Sequence, residues 1–315
     1  MNEHTLTFAS HGFTLAGTLT IPDGAGPFPA ALFVAGSGEV DRNENHKSMA
    51  MNNFNTMAAT LAEAGFATLR FDKRGVGESE GNFHEAGFFD NVADATAAFE
   101  ALCDRPEVDA ERAFVIGHSE GALIATRMAA SGVNAAGIVL LAGTAQAGAA
   151  VLEWQGRKVV QSLKGFQGWL VRTLRIDPAK TQRKLFRKIA ASDKAVMRVQ
   201  LIVKLNAKWM REFMAYNPAD DLPRITMPVC AITGAHDIQV DPENIEIMRI
   251  CVPSSTFEGH VIPELSHILR RGEPGTGDYK RQAQLPVDAE LIALMVDWLR
   301  TTVEGCKRGD SNLMD

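Results

Sequence analysis

The sequence lacks long apolar segments, which excludes two classes of protein at the outset. Its apolar runs, such as GIVLLAG at 137–143, are far shorter than the roughly 20 residues that a membrane-spanning helix needs. The opening residues, MNEHTLTFASHGFTLAG, show no basic stretch followed by an apolar one, so no secretory signal is predicted. We therefore expect a cytoplasmic protein without stable membrane insertion.

Cysteine is also scarce, and its spacing excludes the usual cysteine-based sites. The chain has four cysteines, which are Cys103, Cys230, Cys251 and Cys306. No C-x-x-C pair is present to indicate a zinc site or a redox centre. The cysteines are expected to be free, buried thiols.

Positive charge is in deficit overall but concentrated in one segment. The formal net charge of -6 excludes a generally basic nucleic-acid-binding protein. Residues 151–216, however, hold 15 Lys and Arg against 4 Asp and Glu, a net charge of +11, whereas the remainder carries -17. The basic residues either cover the solvated faces of helices, or attract an anionic substrate such as an acyl-CoA, or an anionic membrane surface.

The order of apolar patterns predicts an α/β fold with an insertion. Strand-like and helix-like segments alternate up to residue 143 and again from 218, which is typical of right-handed crossovers in a mostly parallel sheet flanked by helices. Between them, residues 154–174, 181–192 and 193–216 show apolar residues at helical spacing. We expect a discontinuous core of residues 1–143 and 218–305, a helical cap at 144–217, and a flexible tail at 306–315.

The stretch FVIGHSEGALIA, residues 114–125, is a candidate for a nucleophilic serine. It places Ser119 between Gly117 and Gly121, where a strand ends and a helix begins. Such a turn projects the hydroxyl above the sheet edge, and the glycines allow the neighbouring backbone to approach. The alternative is that Ser119 only caps the helix, although a cap does not require flanking glycines.

A nucleophilic serine needs a histidine base and an acid that orients it. Asp237 follows the predicted strand PVCAITG, and His267 follows HVIPEL, so both lie at the carboxyl ends of later strands, in the order that this type of sheet requires. Other residues are possible but fit less well. These are Asp241, which suits a helix start, and His118, His236 and His260.

Acyl transfer also requires hydrogen-bond donors for an oxyanion. The backbone N–H of Glu120, directly after the serine, is the expected first donor. The loop GSGEVDRN after the strand AALFVAG makes the N–H of Ser37 the candidate for the second. The alternative is an ordinary glycine-rich turn, and a phosphate loop is disfavoured because the Gly-Lys-Ser/Thr ending is missing.

Together these motifs resemble the α/β-hydrolase superfamily. They are GSG at 36–38, FDKRGVGES at 71–79, GHSEG at 117–121, GAHDIQV at 234–240 and SHILRR at 266–271. Within the superfamily, the first three are similar to bacterial carboxylesterases that are often grouped with serine aminopeptidase-like hydrolases. The resemblance implies a Ser119, His267 and Asp237 triad, no cofactor, and hydrolysis of a small acyl ester with a short to medium chain.

The same triad would also serve a peptidase or an acyl-CoA thioesterase, and hydrolase folds can act as non-catalytic binding modules. The oligomeric state is not specified by the sequence. Residues 144–217 occupy the place of a superfamily lid, and their apolar side chains either pack the lid or line its inner face. These are Trp154, Phe166, Trp169, Leu170, Trp209, Phe213 and Met214. Asp72 and Arg74 are expected to form internal salt bridges.

Overall fold

A computed structural model describes residues 1–162, 178–199, 203–253, 257–273 and 277–311. Its main feature is an eight-stranded sheet in the order β1-β2-β4-β3-β5-β6-β9-β10. The strands are β1 Asn2–Ser10, β2 Phe13–Ile21, β3 Phe28–Val34, β4 Ala67–Phe71, β5 Val108–His118, β6 Gly137–Leu141, β9 Val229–Gly234 and β10 Phe257–Ile262. All pairs are parallel except those that β2 makes with β1 and β4. The predicted mostly parallel sheet is confirmed.

Helices cover both faces of this sheet. They are α1 Asn53–Glu63, α2 Phe88–Cys103, α3 Glu120–Ala130, α4 Gly148–Ser162, α5 Pro178–Ala190, α6 Ala207–Ala215, α7 Asn244–Cys251, α8 Tyr279–Gln282 and α9 Ala289–Ser311, with 3-10 turns at Pro218–Asp220 and Leu222–Arg224. Helices α1 and α9 pack on one face, and α2 and α3 pack on the other.

The central strands have no polar face because both sides are covered. In β3, Leu32 packs toward α2 and α3 while its neighbour Phe33 packs toward α1 and α9. In β5, Val115 and Ile116 divide in the same way. Each fully buried side chain of this kind stabilises the fold by about 1.5–3 kcal/mol. The continuous apolar runs in the sequence thus correspond to doubly covered parallel strands.

The helix predicted over 193–216 is wrong in its first half. Strands β7 Val196–Val199 and β8 Val203–Asn206 form an antiparallel hairpin there, in which Val196 pairs with Asn206. The valines recur at a spacing that suits a helix, but their β-branched side chains favour extended backbone. Helix α6 begins only after Asn206, whose side-chain oxygen accepts a hydrogen bond from the N–H of Trp209 at 2.9 Å.

Other predicted boundaries shift at the chain's end and in the insertion. Helix α9 continues to Ser311, past residue 306 where the tail was predicted to begin, and residues 312–315 lie outside the described residues. The predicted helix at 154–174 is described as α4 up to Ser162, and its remainder also lies outside them. In α5 the Lys and Arg side chains at positions 180, 183, 184, 187 and 188 are exposed. Within the described ranges, no helix is long and apolar enough to cross a bilayer.

Candidate active site

Ser119 lies on a sharp turn between β5 and α3. Its backbone adopts φ 55° and ψ -115°, a conformation that costs a non-glycine residue energy and is found where the surrounding structure enforces it. The turn is anchored by the N–H of Ser119, which donates to the carbonyl of Leu141 on the adjacent strand at 2.9 Å. The strand-turn-helix elbow predicted from the sequence is therefore present.

The two flanking glycines are required by close approach of backbone. A Cβ at Gly121 would lie 1.9 Å from the carbonyl oxygen of Val34, and one at Gly117 would lie 2.1 Å from that of Gly121. A Cβ at Gly36, in the loop after β3, would lie 3.3 Å from the Cβ of Ser119. Any side chain at Gly117 or Gly121 would separate the elbow from the rest of the sheet edge.

The structure brings Ser119, His267 and Asp237 together. The Nε2 atom of His267 lies 3.0 Å from Oγ of Ser119, and its Nδ1 atom lies 2.8 Å from Oδ2 of Asp237. His267 and Asp237 are both buried. These distances are those of a base held between a nucleophile and an orienting carboxylate.

Asp237 is fixed by the loop on which it lies. Its second oxygen, Oδ1, accepts hydrogen bonds from the backbone N–H groups of Gln239 at 2.7 Å and Val240 at 2.9 Å. Both carboxylate oxygens therefore have partners, and the side chain has one orientation available.

The competing residues have other partners. Asp241 accepts a hydrogen bond from the N–H of Glu243 at 3.1 Å in the turn before α7, but that helix begins at Asn244 with Glu243 at its N-cap, so Asp241 does not cap it. His236 lies 2.6 Å from the carbonyl of Gly272, and His260 lies 2.7 Å from Glu258.

His118 points away from Ser119, into a buried pair with Glu44. Its Nδ1 atom lies 2.9 Å from Oε1 of Glu44, and its Nε2 atom lies 2.9 Å from the carbonyl oxygen of His267. The carbonyl of His267 can only accept, so Nε2 carries a hydrogen atom, and the carboxylate of Glu44 favours a hydrogen atom on Nδ1 as well. His118 thus holds the backbone of His267 on the side away from Ser119.

Glu44 completes this pair with two further hydrogen bonds. Its Oε1 atom accepts from the backbone N–H of Gly36 at 2.8 Å, and its Oε2 atom accepts from the side-chain amide of Asn53 at 2.8 Å. Glu44 was not among the site residues predicted from the sequence. No pattern signals it, because it lies 74 residues from His118 on a loop without regular structure.

Opposite pKa shifts accompany this pair. Burial favours the neutral carboxyl of Glu44, but the charge of His118 and the hydrogen bonds to the carboxylate outweigh burial and lower the pKa of Glu44. Burial likewise opposes the charge on His118, but the charge and hydrogen bond of Glu44 raise the pKa of His118 above its ordinary value. The two groups are stable together as ions, although each alone would be costly to bury.

Two backbone N–H groups next to Ser119 have no acceptor. In the part of the chain that the structure describes, neither the N–H of Ser37 nor that of Glu120 donates to another protein group. Glu120 is the first residue of α3, so its N–H is one of the unpaired donors that every helix start leaves. Both groups are available to an oxygen atom in the site.

A cavity of about 300 Å³ adjoins these donors. One wall comes from the core and the other from the end of the β7–β8 hairpin and α6. Its lining consists of Ser37, Gly38, Phe83, His84, Ala86, Asn91, Glu120, Lys204, Leu205, Asn206, Trp209 and Met210. Of the apolar candidates named from the sequence, Trp209 lines this cavity. Phe213 is instead buried in the core. Trp154 does not line the cavity, and the Lys158 ammonium lies 4.2 Å from the centre of its ring. Met214 does not line the cavity either, and Phe166, Trp169 and Leu170 lie outside the described residues.

The motif FDKRGVGES contributes ion pairs beneath the site. Asp72 pairs with Arg42 at 2.5 Å, and Arg74 donates to Asp94 at 2.7 Å. The salt-bridge roles expected for Asp72 and Arg74 are confirmed, although their partners lie elsewhere in the chain. Between them, Lys73 is buried and reaches the backbone of Gly36 and the carboxylate of Glu120.

A parallel sheet with a serine elbow and with an acid and a histidine after later strands defines the α/β-hydrolase fold. Solved structures of this fold match nearly the whole chain. An α/β hydrolase of Penicillium sp. sh18, GrgF, matches with a TM-score of 0.62 and 14% identity over 96% of this chain and 99% of that chain. Est1E of Butyrivibrio proteoclasticus, with ferulic acid bound, matches with a TM-score of 0.61 and 17% identity over 95% and 98%. A proline iminopeptidase of Mycobacterium smegmatis gives 0.62 and 16% over 96% and 100%.

The chain belongs to the family of α/β hydrolases described as serine aminopeptidase, S33, which it matches over residues 48–274. It is also 30% identical over 286 residues to Esterase EstD of Thermotoga maritima. That alignment includes 90% of this chain but 65% of the esterase. The chain thus spans about two thirds of the length of this curated relative.

The Glu44 and His118 pair makes a testable contribution to stability. Folding raises the pKa of His118. Its contribution to the free energy of unfolding is therefore complete below the unfolded-state pKa of about 6.5 and is lost as pH rises through the pKa of the folded state. Because folding lowers the pKa of Glu44, its contribution is complete above about pH 4.3 and is lost as pH falls through the folded value. The pair should therefore stabilise most between these limits.

The measurement is the free energy of unfolding by urea, at a series of pH values, for the wild-type chain and for Glu44→Gln with His118→Gln. The difference between the two is expected to form a plateau between about pH 4.3 and 6.5 and to fall on either side. A difference that does not vary with pH would show that the pair is not ionic.

Proposed function

We propose that this chain is a serine hydrolase that cleaves small carboxylic esters through Ser119, His267 and Asp237. The observation that carries the proposal is that His267 is hydrogen-bonded at once to the hydroxyl of Ser119 and to the carboxylate of Asp237. A serine hydroxyl is a weak nucleophile unless a base can take its proton as it attacks. The imidazole of His267 is positioned to do so.

In the first half of the reaction, Oγ of Ser119 attacks the ester carbonyl carbon while Nε2 of His267 takes the hydroxyl proton. The tetrahedral intermediate collapses when the bond to the leaving oxygen breaks. His267 then donates its proton to that oxygen, and the alcohol departs from an acyl-Ser119 ester. Asp237 keeps Nδ1 protonated and stabilises the imidazolium that forms between these steps.

In the second half, water replaces the alcohol. His267 takes a proton from the water as its oxygen attacks the acyl carbon, and a second tetrahedral intermediate forms. Its collapse breaks the bond to Oγ, His267 returns the proton to Ser119, and the carboxylic acid leaves. The free enzyme is thereby restored, with Ser119 and His267 in their initial protonation states.

The N–H groups of Glu120 and Ser37 are proposed to bind the oxyanion in both intermediates. Both N–H groups flank the serine, and neither has a protein acceptor among the described residues, which supports this role. Donors fixed in backbone need no reorganisation as charge develops, which makes this one of the larger contributions to catalysis. The N-terminus of α3 adds its partial positive charge at the same place.

Residues 144–217 are proposed to form a cap over this site. Helix α6 and the residue before it bind the core near the start of α2: Lys208 pairs with Asp90 at 2.5 Å, and the Asn206 amide donates to the carbonyl of Phe83 at 2.8 Å. Trp209 donates to Glu120 beside the nucleophile at 2.5 Å. A segment bound in this way encloses the cavity and limits the entry of water.

The charged groups that line the cavity favour an ester substrate over a peptide substrate. An aminopeptidase substrate brings a free ammonium group, which needs an unpaired carboxylate. Glu120 is the one carboxylate among the described cavity residues, and it already accepts from Lys73, Asn91 and Trp209. The names of two similar proteins, Esterase EstD and Est1E, also support an ester substrate.

The triad is tested by single substitutions assayed on p-nitrophenyl butyrate. Ser119→Ala and His267→Ala are each expected to reduce kcat by on the order of 10³-fold or more, since either removes the nucleophile–base unit. Asp237→Asn should reduce kcat by a comparable factor because the imidazole loses its preferred tautomer. Asp241→Asn is the matched control and should retain wild-type kcat. A Ser119→Ala variant with wild-type turnover would contradict the mechanism.

The size of the cavity predicts chain-length selectivity. Its volume of about 300 Å³ lies at the lower end of small-molecule sites, so kcat/KM should be higher for butyrate and hexanoate esters than for laurate. Met210→Phe narrows the cavity and should lower the ratio of kcat/KM for hexanoate over acetate by about 10-fold, the discrimination expected of a few methylene groups. Met214→Phe, one turn further along α6, should leave that ratio unchanged. If Met210→Phe and Met214→Phe showed the same hexanoate-to-acetate ratio of kcat/KM, the acyl chain would not bind in this cavity.

A further inference from the structure

Lys73 is a buried cation that the proposed mechanism does not use. It lies just after β4, within the motif FDKRGVGES, and is 5% exposed. Its ammonium donates to the carbonyl oxygen of Gly36 and lies 3.4 Å from Oε2 of Glu120. Burying an ammonium group is costly unless it is paired and hydrogen-bonded, so its placement against one particular carbonyl needs an explanation.

The carbonyl that Lys73 binds belongs to the same peptide group as the proposed second oxyanion donor. The C=O of Gly36 and the N–H of Ser37 are the two ends of one peptide unit. That unit is trans, so its N–H points away from its C=O and therefore away from Lys73. Ser37 is exposed and lines the cavity. Binding the carbonyl on the protein side therefore turns the N–H toward the substrate side.

The other end of Gly36 is also fixed by a buried charge. Its N–H donates to Glu44 at 2.8 Å, so the residue is held at its N–H by a carboxylate and at its C=O by an ammonium. Because it is a glycine packed against the Cβ of Ser119, no side chain of its own restricts its conformation. The two charged groups supply the restriction that a side chain would otherwise give.

We propose that Lys73 is a positioning residue for ester hydrolysis, which orients and polarises the Gly36–Ser37 peptide so that its N–H binds the oxyanion. An N–H becomes a stronger donor when the carbonyl of its own peptide accepts a hydrogen bond, because successive hydrogen bonds polarise one another. The ammonium charge itself also favours negative charge developing on the other side of the peptide. This inference rests on the proposed function and adds a residue to it.

Glu120 links Lys73, and the Gly36–Ser37 peptide that it binds, to the proposed cap. Its carboxylate balances the charge of Lys73 and also accepts from Trp209 of α6 at 2.5 Å and from Asn91 of α2 at 3.1 Å. The backbone of Glu120 offers the first oxyanion donor, while its side chain holds the lysine that orients the second. The two donors are thereby connected through one ion pair.

The test compares Lys73→Met with Arg74→Met. Arg74 is the adjacent residue and an equally buried cation, paired with Asp94, and it makes no contact with Gly36. Two quantities are measured with short acyl chains: kcat and KM for p-nitrophenyl butyrate, and the inhibition constant of an alkyl trifluoromethyl ketone. The ketone adds to Ser119 and places a real oxyanion in the site.

For Lys73→Met we expect kcat to fall by about 10- to 100-fold, somewhat less than removal of a whole oxyanion donor, with little change in KM. Inhibition by the ketone should weaken by the same factor, and Lys73→Arg should recover part of both. Arg74→Met should lower Tm while kcat and ketone affinity stay near wild type. If Lys73→Met does not fold, Lys73→Met with Glu120→Gln removes both charges and is measured in the same way.

Two outcomes would overturn the inference. A folded Lys73→Met protein with wild-type kcat and ketone affinity would show that the lysine does not act on the oxyanion. Equal losses of Tm and kcat in Lys73→Met and Arg74→Met would show that it is only structural. Both outcomes are distinct from failure of the proposed function, in which the folded wild-type chain would itself not hydrolyse the ester.

Discussion

The close approach of α3 to the end of β3 is the constraint on which the site depends. Gly121, in the first turn of the helix, leaves no room for a Cβ against the carbonyl of Val34. This contact places Ser119 beside the loop that carries Gly36 and Ser37, and it forces the serine into its positive-φ turn. Strain of this kind persists only where well-packed elements on both sides enforce it, and here β5 and α3 are both part of the buried core.

Two buried ion pairs extend this constraint from the backbone to the chemistry. Glu44 with His118, and Lys73 with Glu120, meet at the two ends of Gly36. The first pair also supports the carbonyl of His267, so the proposed base and the loop that carries Gly36 and Ser37 share one buried support. Removing one partner of a buried ion pair leaves an uncompensated buried charge. Each pair therefore keeps its members, and the Gly36 backbone between them, in one arrangement.

The main features of the site could be predicted because they follow from topology. Parallel strands end at one edge of a sheet, so residues after β5, β9 and β10 had to meet there, and Ser119, Asp237 and His267 do. Glu44 and Lys73 could not be predicted in the same way. Glu44 lies on an irregular loop without a motif. Lys73 lies in the motif FDKRGVGES, but its partner is a backbone carbonyl, which the sequence does not indicate.

In residues 144–217, proposed above as a cap, a sequence pattern was present but fitted both a helix and a strand. The positions of Val196, Val199 and Val203 satisfy the helical period. In the structure these residues instead belong to β7 and β8, which pair with each other in an antiparallel arrangement. Periodicity records which faces are apolar and does not by itself separate a short strand from a helix. The second half of the helix predicted over 193–216 is present as α6, and Asn206, whose side chain caps it, marks where the helix begins.

The central claim is that Ser119 is the one nucleophile activated by this arrangement. Labelling the folded chain with a fluorophosphonate, followed by peptide mapping by mass spectrometry, tests it most directly. The reagent requires both an activated serine and donors for the phosphonyl oxygen. We expect one adduct per chain, located on Ser119 and lost in His267→Ala. A folded protein that remains unlabelled at Ser119, or is labelled at another serine, would contradict it.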